Sequence, residues 1–180
     1  MDVQRSLVDR FDEDDYLPRL ADAVGAAREA GLPVLHVVIG FRPGHPEVSP
    51  RNKVFGAVAG SGWFTEGDPG AEIHPGVAPR PGEAVVTKRC VSAFPGSDLD
   101  LVLRTGGIDH LVLTCIATSG VVLSTVCRAA DLDHRLTVLA DGCRDGDPEV
   151  HDVLTRKAFP RQADVLSVAE WTKSLDADRS

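Results

Sequence analysis

Two ionisable residues, Asp2 and Lys88, stand where strands are predicted to end. Lys88 closes an apolar run, and Asp2 closes a strand if residues 1–4 are the tail of one. A lysine walled by apolar neighbours can exchange a proton or hold a nearby carboxylate in its charged form. The simpler alternatives are a solvated lysine at a strand end and an aspartate in a frayed terminus. As a pair, the two side chains are suited to proton transfer.

A second candidate is the junction at residues 114–125, where an apolar strand passes directly into a helix through small and hydroxyl residues. Backbone N–H groups at such a helix start have no partner within the helix, so they can bind an anion or a developing oxyanion. Ala117, Thr118 and Ser119 occupy this turn. Thr118 or Ser119 is also a suitable residue to cap the helix.

The long segment from Phe41 to Gly82 is rich in proline and glycine, and it is predicted to be a loop with short helical turns. Arg42 could hold a substrate carboxylate with two parallel hydrogen bonds, or it could be an ordinary solvated arginine. Trp63 and Phe64 could form an aromatic wall over a pocket or a contact between subunits. His45 lies in the same loop and is expected to be exposed.

The sequence predicts no metal site and no cofactor. His36 and His45 lack a carboxylate at the spacing that metal ligands need, and His36 fits a histidine packed in the core. The four cysteines are scattered, without a C-x-x-C pair, and are expected to be reduced, mostly buried thiols. A thiol role for Cys90 or Cys115 is the alternative.

Strands and helices alternate along the chain, which is typical of a parallel sheet covered by helices on both faces. In such folds, sites lie outside the carboxyl ends of the strands, where Asp2 and Lys88 are expected. Apolar periodicity predicts the following strands and helices. The strands are 33–39, 84–88, 110–116, 136–139 and 165–167, and the helices are 16–30, 98–104, 119–131, 148–158 and 169–175.

Composition narrows the functional classes. The 180 residues fit one domain, 1–180, and 43% of them are apolar, as in a folded globular protein. With 27 acidic and 19 basic residues the net charge is −8, which argues against nucleic acid as a partner. No apolar run is long enough to span a membrane, and no signal peptide is recognisable. A cytoplasmic protein with no membrane partner is therefore expected.

An ordered series of segments resembles the isochorismatase-like (cysteine hydrolase) superfamily, and the resemblance covers essentially the whole chain. It implies a Rossmann-like three-layer α/β/α fold with a six-stranded parallel sheet. It also implies a small-molecule substrate and a homo-oligomer, either a dimer or a tetramer. The segments that carry it are Met1-Asp2-Val3-Gln4, Val86-Thr87-Lys88, Ser92-Ala93-Phe94, Ile116-Ala117-Thr118, Val122-Leu123-Ser124-Thr125, Ala129 to Asp133 and Val138 to Asp145, with His151 on the next helix.

The same resemblance assigns roles to individual positions. The catalytic Asp of the family corresponds to Asp2, the Gln that accompanies it to Gln4, and the catalytic Lys to Lys88. A cis peptide bond between a pair of non-proline residues corresponds to Ile116–Ala117. It would present the N–H groups of Ala117 and Val121 as an oxyanion hole.

Three departures from the family pattern change the expected chemistry. The position of the nucleophilic cysteine holds Val121, which excludes covalent amide hydrolysis by the usual route there. The glycine that opens the segment is replaced by Cys115, which is interpreted as a packed thiol rather than a relocated nucleophile. The apolar residues that usually precede the Asp are absent, and a misassigned or truncated start would leave Asp2 poorly supported.

Together these residues predict hydrolysis of a small, carboxylated molecule by acid–base chemistry of Asp2 and Lys88, without a cysteine nucleophile. Ala117 and Val121 would polarise the substrate. Gln4, Arg42, Trp63, Thr118 and Ser119 are the candidate substrate-binding residues. A catalytically silent homologue that binds a small ligand or acts as a structural subunit is the second hypothesis.

Overall fold

A computed structural model describes residues 1–11 and 15–177. Residues 12–14 and 178–180, which belong to the predicted domain 1–180, lie outside the described residues. The described elements are five strands and six α-helices, extended in two places by π-helical turns. The strands are β1 (Leu35–Ile39), β2 (Ala84–Lys88), β3 (His110–Ile116), β4 (Arg135–Arg144) and β5 (Asp164–Leu166), and the helices are α1 (Arg5–Val8), α2 (Tyr16–Glu29), α3 (Leu99–Thr105), α4 (Leu123–Ala130), α5 (Pro148–Val153) and α6 (Val168–Ala177).

All described strand pairs are parallel. β1 pairs with β2, and β4 lies between β3 and β5. The predicted sheet of six strands is thus found as five strands in two groups. β3 is mostly apolar, and its residues are buried or half-buried, so this strand could be predicted from its composition.

Met1 and Asp2 connect the two groups of strands. The Asp2 N–H donates to the Val37 carbonyl of β1 at 2.8 Å, and the Met1 amino group donates to the Thr114 carbonyl of β3 at 2.8 Å. The Ile116 N–H donates to the Met1 carbonyl at 3.4 Å. Two residues are too short to count as a strand, but they take the place of one between β1 and β3.

A cavity of about 640 Å³ adjoins Met1 and is lined by residues of both β1 and β3, including Leu35 and Val112. In a parallel strand, the N–H and C=O groups of alternate residues point to the same side. Val37 and Thr114 bond to the Met1–Asp2 segment, so Leu35 and Val112, each two residues earlier, turn their backbone groups toward this cavity. The two strands therefore have unpaired inner edges here among the described residues.

The segment between β1 and β2 carries a small core of its own. Phe41, Phe55 and Phe64 are buried and pack against Ile39 at the end of β1. Apart from two short 3₁₀ turns, Pro69–Ala71 and Pro75–Val77, it has no regular element, as the proline and glycine content predicts. No described helix is long and apolar enough to cross a membrane.

Candidate active site

Asp2 and Lys88 meet at the carboxyl ends of their strands. The Asp2 carboxylate oxygen Oδ2 lies 2.9 Å from the Lys88 ammonium Nζ, and their side chains are 8% and 1% exposed. Lys88 also donates to the Cys90 carbonyl at 3.1 Å. Because the backbone of Asp2 is bonded to β1, the carboxylate is held in place. The expectation that Asp2 is poorly supported is wrong.

Burial and Lys88 act on the pKa of Asp2 in opposite directions. Burial raises the pKa of the Asp2 carboxyl, and the charge and hydrogen bond of Lys88 oppose this shift without cancelling it. The second carboxylate oxygen, Oδ1, is buried and has no hydrogen-bond partner in the described structure. Asp2 therefore has one oxygen fixed by Lys88 and one that can exchange a proton with a bound molecule.

The turn that follows β3 forms another side of the site. The peptide bond between Ile116 and Ala117 is cis, which confirms that expectation. Gly120 and Val122 donate their N–H groups to the Ala117 carbonyl at 3.1 and 3.4 Å. The Ala117 N–H has no acceptor within the described chain, so it remains available to a ligand.

A polar network behind the turn fixes its position. The Thr118 hydroxyl donates to the Arg144 carbonyl at 3.1 Å and lies 2.8 Å from Nδ1 of His151. The Ser119 N–H donates to the Asp145 carboxylate at 2.6 Å. Burial alone would raise the pKa of Asp145, but hydrogen bonds from Ser119 and from the backbone of Gly146 and Asp147 keep it below its usual value.

Asp2, Lys88, Ala117 and Val121 line one pocket of about 280 Å³. Val121 is only 2% exposed. Trp63 lines the same pocket, and most of the residues around it are apolar. The main apolar residues of the pocket lining are Phe11, Ile39, Phe55, Val58, Phe64 and Val91.

His45 organises the loop that contributes Trp63. Its Nε2 lies 3.0 Å from the Trp63 carbonyl, and its Nδ1 accepts a hydrogen bond from the Gly60 N–H at 3.3 Å. His45 is 3% exposed, so the expectation of an exposed histidine is wrong. The ring can be buried because both of its nitrogens have hydrogen-bond partners in the backbone.

Four of the nine predicted site residues lie outside this pocket. The Gln4 side-chain amide is fully used, because it pairs with both the N–H and the C=O of Ile39 at 2.9 Å and donates to the Ala71 carbonyl. Arg42 is 65% exposed and bonded to Glu47. Thr118 and Ser119 bond within the network behind the turn. These bonds hold the four side chains outside the pocket, and contact of any of them with substrate stays a prediction.

Sequence reasoning missed Arg10, which lines the pocket and is exposed at its mouth. Its guanidinium carbon lies 4.9 Å from the centre of the Trp63 ring. No motif marked this residue, since it follows the four-residue helix α1, which was not predicted. The helical spacing of Leu7 and Phe11, which also line the pocket, is the one available signal.

No cysteine thiol lines the pocket among the described residues. Cys115 is completely buried and does not line the pocket, and burial holds the pKa of its thiol well above the usual value. A nucleophilic thiolate at this position is therefore disfavoured. Among residues 1–11 and 15–177, no group of three histidine, cysteine or acidic side chains could hold a metal ion.

Comparison with known proteins identifies the family. The Isochorismatase domain matches residues 1–170, which is most of the chain. The chain belongs to the isochorismatase family. It is 32% identical over 175 residues to the uncharacterized isochorismatase family protein YwoC of Bacillus subtilis, covering 97% of this chain and 91% of that protein.

Two further relatives support the assignment to the isochorismatase family. The ureidoacrylate amidohydrolase RutB of Pseudomonas syringae is 31% identical over 190 residues, covering 92% of this chain and 71% of that protein. The crystal structure of an isochorismatase family protein from Desulfovibrio vulgaris superposes with a TM-score of 0.85 at 26% identity, covering 97% of this chain and 95% of that one. The α/β fold expected from the resemblance is thereby confirmed.

Proposed function

We propose that this isochorismatase-family protein is a hydrolase that cleaves a small, carboxylated molecule by acid–base chemistry. The observation that carries the proposal is the buried Asp2 carboxyl, with one oxygen held by Lys88 and the other unpartnered, in a pocket lined mostly by apolar side chains. Catalytic acids have this environment because exclusion of water keeps the proton on the carboxyl group.

In the proposed reaction, Asp2 donates its proton to the substrate atom that will leave or be activated. Lys88 stabilises the carboxylate that forms, since the two groups are already in contact. Water then adds to the activated carbon and its proton returns to Asp2, while the bond between that carbon and the leaving heteroatom breaks and the leaving group departs in its protonated form. The N–H groups of Ala117 and Val121 are assigned to polarise the substrate oxygen.

Val121 supports the absence of a covalent step. It lines the pocket at the position where the resemblance places the family's nucleophile, and its side chain has no atom that can attack a carbonyl. The same observation favours the second candidate function, in which the protein binds a small ligand without turning it over. A cytoplasmic location and a dimeric or tetrameric state remain predictions.

The test is an assay of the purified protein on small carboxylic acids that carry a vinyl ether, a ureido group or an amide, in water enriched in ¹⁸O. Hydrolysis that incorporates the label, and that is lost in Asp2→Asn, supports the proposal. Asp100→Asn is the matched control, because Asp100 is half-exposed and paired with Arg104 away from the pocket. Equal turnover in Asp2→Asn and the wild type would refute the proposed role of Asp2.

A further inference from the structure

The pocket contains three charged residues among those described, Asp2, Lys88 and Arg10. Asp2 and Lys88 neutralise each other when both are ionised, and Lys88 has its second contact with the Cys90 carbonyl. Arg10 makes no ion pair with a described acidic residue. Among the described residues, the lining of the pocket therefore has a net positive charge, which is located at the exposed Arg10.

The position of Arg10 on Trp63 prepares it to bind a planar anion. A guanidinium that stacks on an aromatic ring keeps its N–H groups free around its edge, and these match the two oxygens of a carboxylate. The backbone of Trp63 is held by the hydrogen bond between its carbonyl and the His45 ring. Because the guanidinium already rests on the Trp63 ring, it loses less conformational entropy when it binds an anion.

We propose that Arg10 is the residue that selects the substrate, and that it binds the carboxylate of a small monoanion whose apolar part fills the pocket. This inference rests on the proposed function, since it assigns a substrate class to the same site. It places the carboxylate at the mouth and the reacting bond deeper, beside Asp2 and Ala117. The apolar wall of Phe55, Val58 and Phe64 has no polar side chain to bind a second charge there.

The experiment compares two probes of nearly equal shape, benzoate and benzamide, by calorimetric titration of the full chain. We expect benzoate to bind about tenfold more tightly than benzamide, because a charge-assisted hydrogen bond is stronger than a neutral one. Arg10→Gln should remove this preference by weakening benzoate binding about tenfold while leaving benzamide unchanged. Arg10→Lys should keep part of the preference, since it retains the charge without the paired donors.

Arg51→Gln is the matched control, because Arg51 is an exposed arginine in the same loop as Trp63 that does not line the pocket. It should leave the affinity for both probes unchanged. The proposal is overturned if Arg10→Gln binds benzoate as well as the wild type does, if Arg51→Gln weakens it equally, or if neither probe binds. Arginine-dependent binding of benzoate without turnover of any carboxylic acid would instead refute the proposed hydrolysis and leave the role of Arg10 standing.

Discussion

Asp2 and Lys88 are separated by 86 positions in the sequence, yet their side chains form a 2.9 Å ion pair that is almost entirely enclosed. The pair joins the segment between β1 and β3 to the end of β2, so it couples the two groups of strands. Its energetics differ from those of a surface ion pair, because both charges have lost their hydration.

The pH dependence of turnover should report the state of Asp2. Burial raises the pKa of this carboxyl, so the acid form persists above the pH range in which an ordinary aspartate ionises. We expect the rate to be level at low pH and to fall about tenfold per pH unit above the raised pKa. Rate–pH profiles of the hydrolysis test this. A rate that rises with pH across the same range would assign Asp2 as a base instead.

Loss of one member of the buried pair should destabilise the protein. Lys88→Met should lower the free energy of unfolding by about 3–5 kcal/mol, because Asp2 then keeps its desolvation cost without a partner. The double variant Asp2→Asn, Lys88→Met should recover part of that loss. Urea unfolding of the two single variants and the double variant measures the coupling. Strictly additive effects would show that the contact contributes nothing.

Val121→Cys should place a reactive thiol in the pocket. The new side chain would lie beside Lys88 and the free N–H of Ala117, which favours a thiolate there. We expect iodoacetamide to modify position 121, with amidase activity that alkylation removes. Peptide mapping by mass spectrometry separates this site from the exposed Cys90 and Cys127.

The control for this substitution is Val122→Cys, since Val122 is completely buried and does not line the pocket. Its thiol should resist the reagent. If position 121 is no more reactive than position 122, the pocket does not activate a nucleophile at this place.

Glu83 should stabilise the fold in a pH-dependent way. Its carboxylate bonds Arg28 at 2.7 and 2.8 Å and lies 3.0 Å from His36, and these partners, Arg28 first, depress its pKa well below the usual value. The stabilisation is complete above pH 4.5, the ordinary pKa of the group, and is lost as the pH falls below it.

Glu83→Gln should therefore cost about 1–3 kcal/mol at pH 7, and the difference from the wild type should shrink in acid. Thermal unfolding at pH 7 and pH 3.5 checks both statements. Glu72→Gln is a suitable control, because the ion pair of Glu72 with Arg5 is largely exposed. A constant difference between wild type and Glu83→Gln at the two pH values would contradict the prediction.

The cavity beside Met1 should accept a strand. Insertion of Leu-Val-Val-Val between an initiator methionine and Met1 would offer backbone partners to Leu35 and Val112 and fill apolar space. We expect stabilisation of at least about 2 kcal/mol, and thus a rise in Tm of about 5 °C. Gly-Ser-Gly-Ser at the same place is the control. Equal melting temperatures of the two insertions would show that the cavity does not bind a strand.

Much of the fold could be predicted because the strands are short apolar runs bounded by glycine, proline or charged residues. β2 was predicted with its exact bounds, and β3 likewise. β4 is longer than expected, since it continues through polar residues to Arg144 and pairs again with β3 beyond an irregularity at Leu113. Strand continuation of that kind depends on a neighbouring strand, which local sequence does not reveal.

The site was predictable to the extent that it follows strand ends. Asp2, Lys88 and Ala117 converge as expected because parallel strands bring their carboxyl ends to one edge. Gln4 and Arg10 show which parts of the site could not be predicted from the sequence. The Gln4 amide replaces a backbone partner of Ile39, and Arg10 reaches the pocket through a stack on Trp63. Both depend on contacts between distant segments that no spacing rule encodes.

The residues of the pocket come from two separate parts of the chain, and this has an evolutionary consequence. Asp2, Lys88 and the N–H of Ala117 lie at or next to the ends of the strands, whereas Trp63, Phe55 and Phe64 come from a loop with a small core of its own. Exchange or lengthening of that loop can therefore alter which molecule is accepted while the reacting groups stay in register. Proteins that descend from one scaffold can in this way acquire different substrates while the reacting groups stay the same.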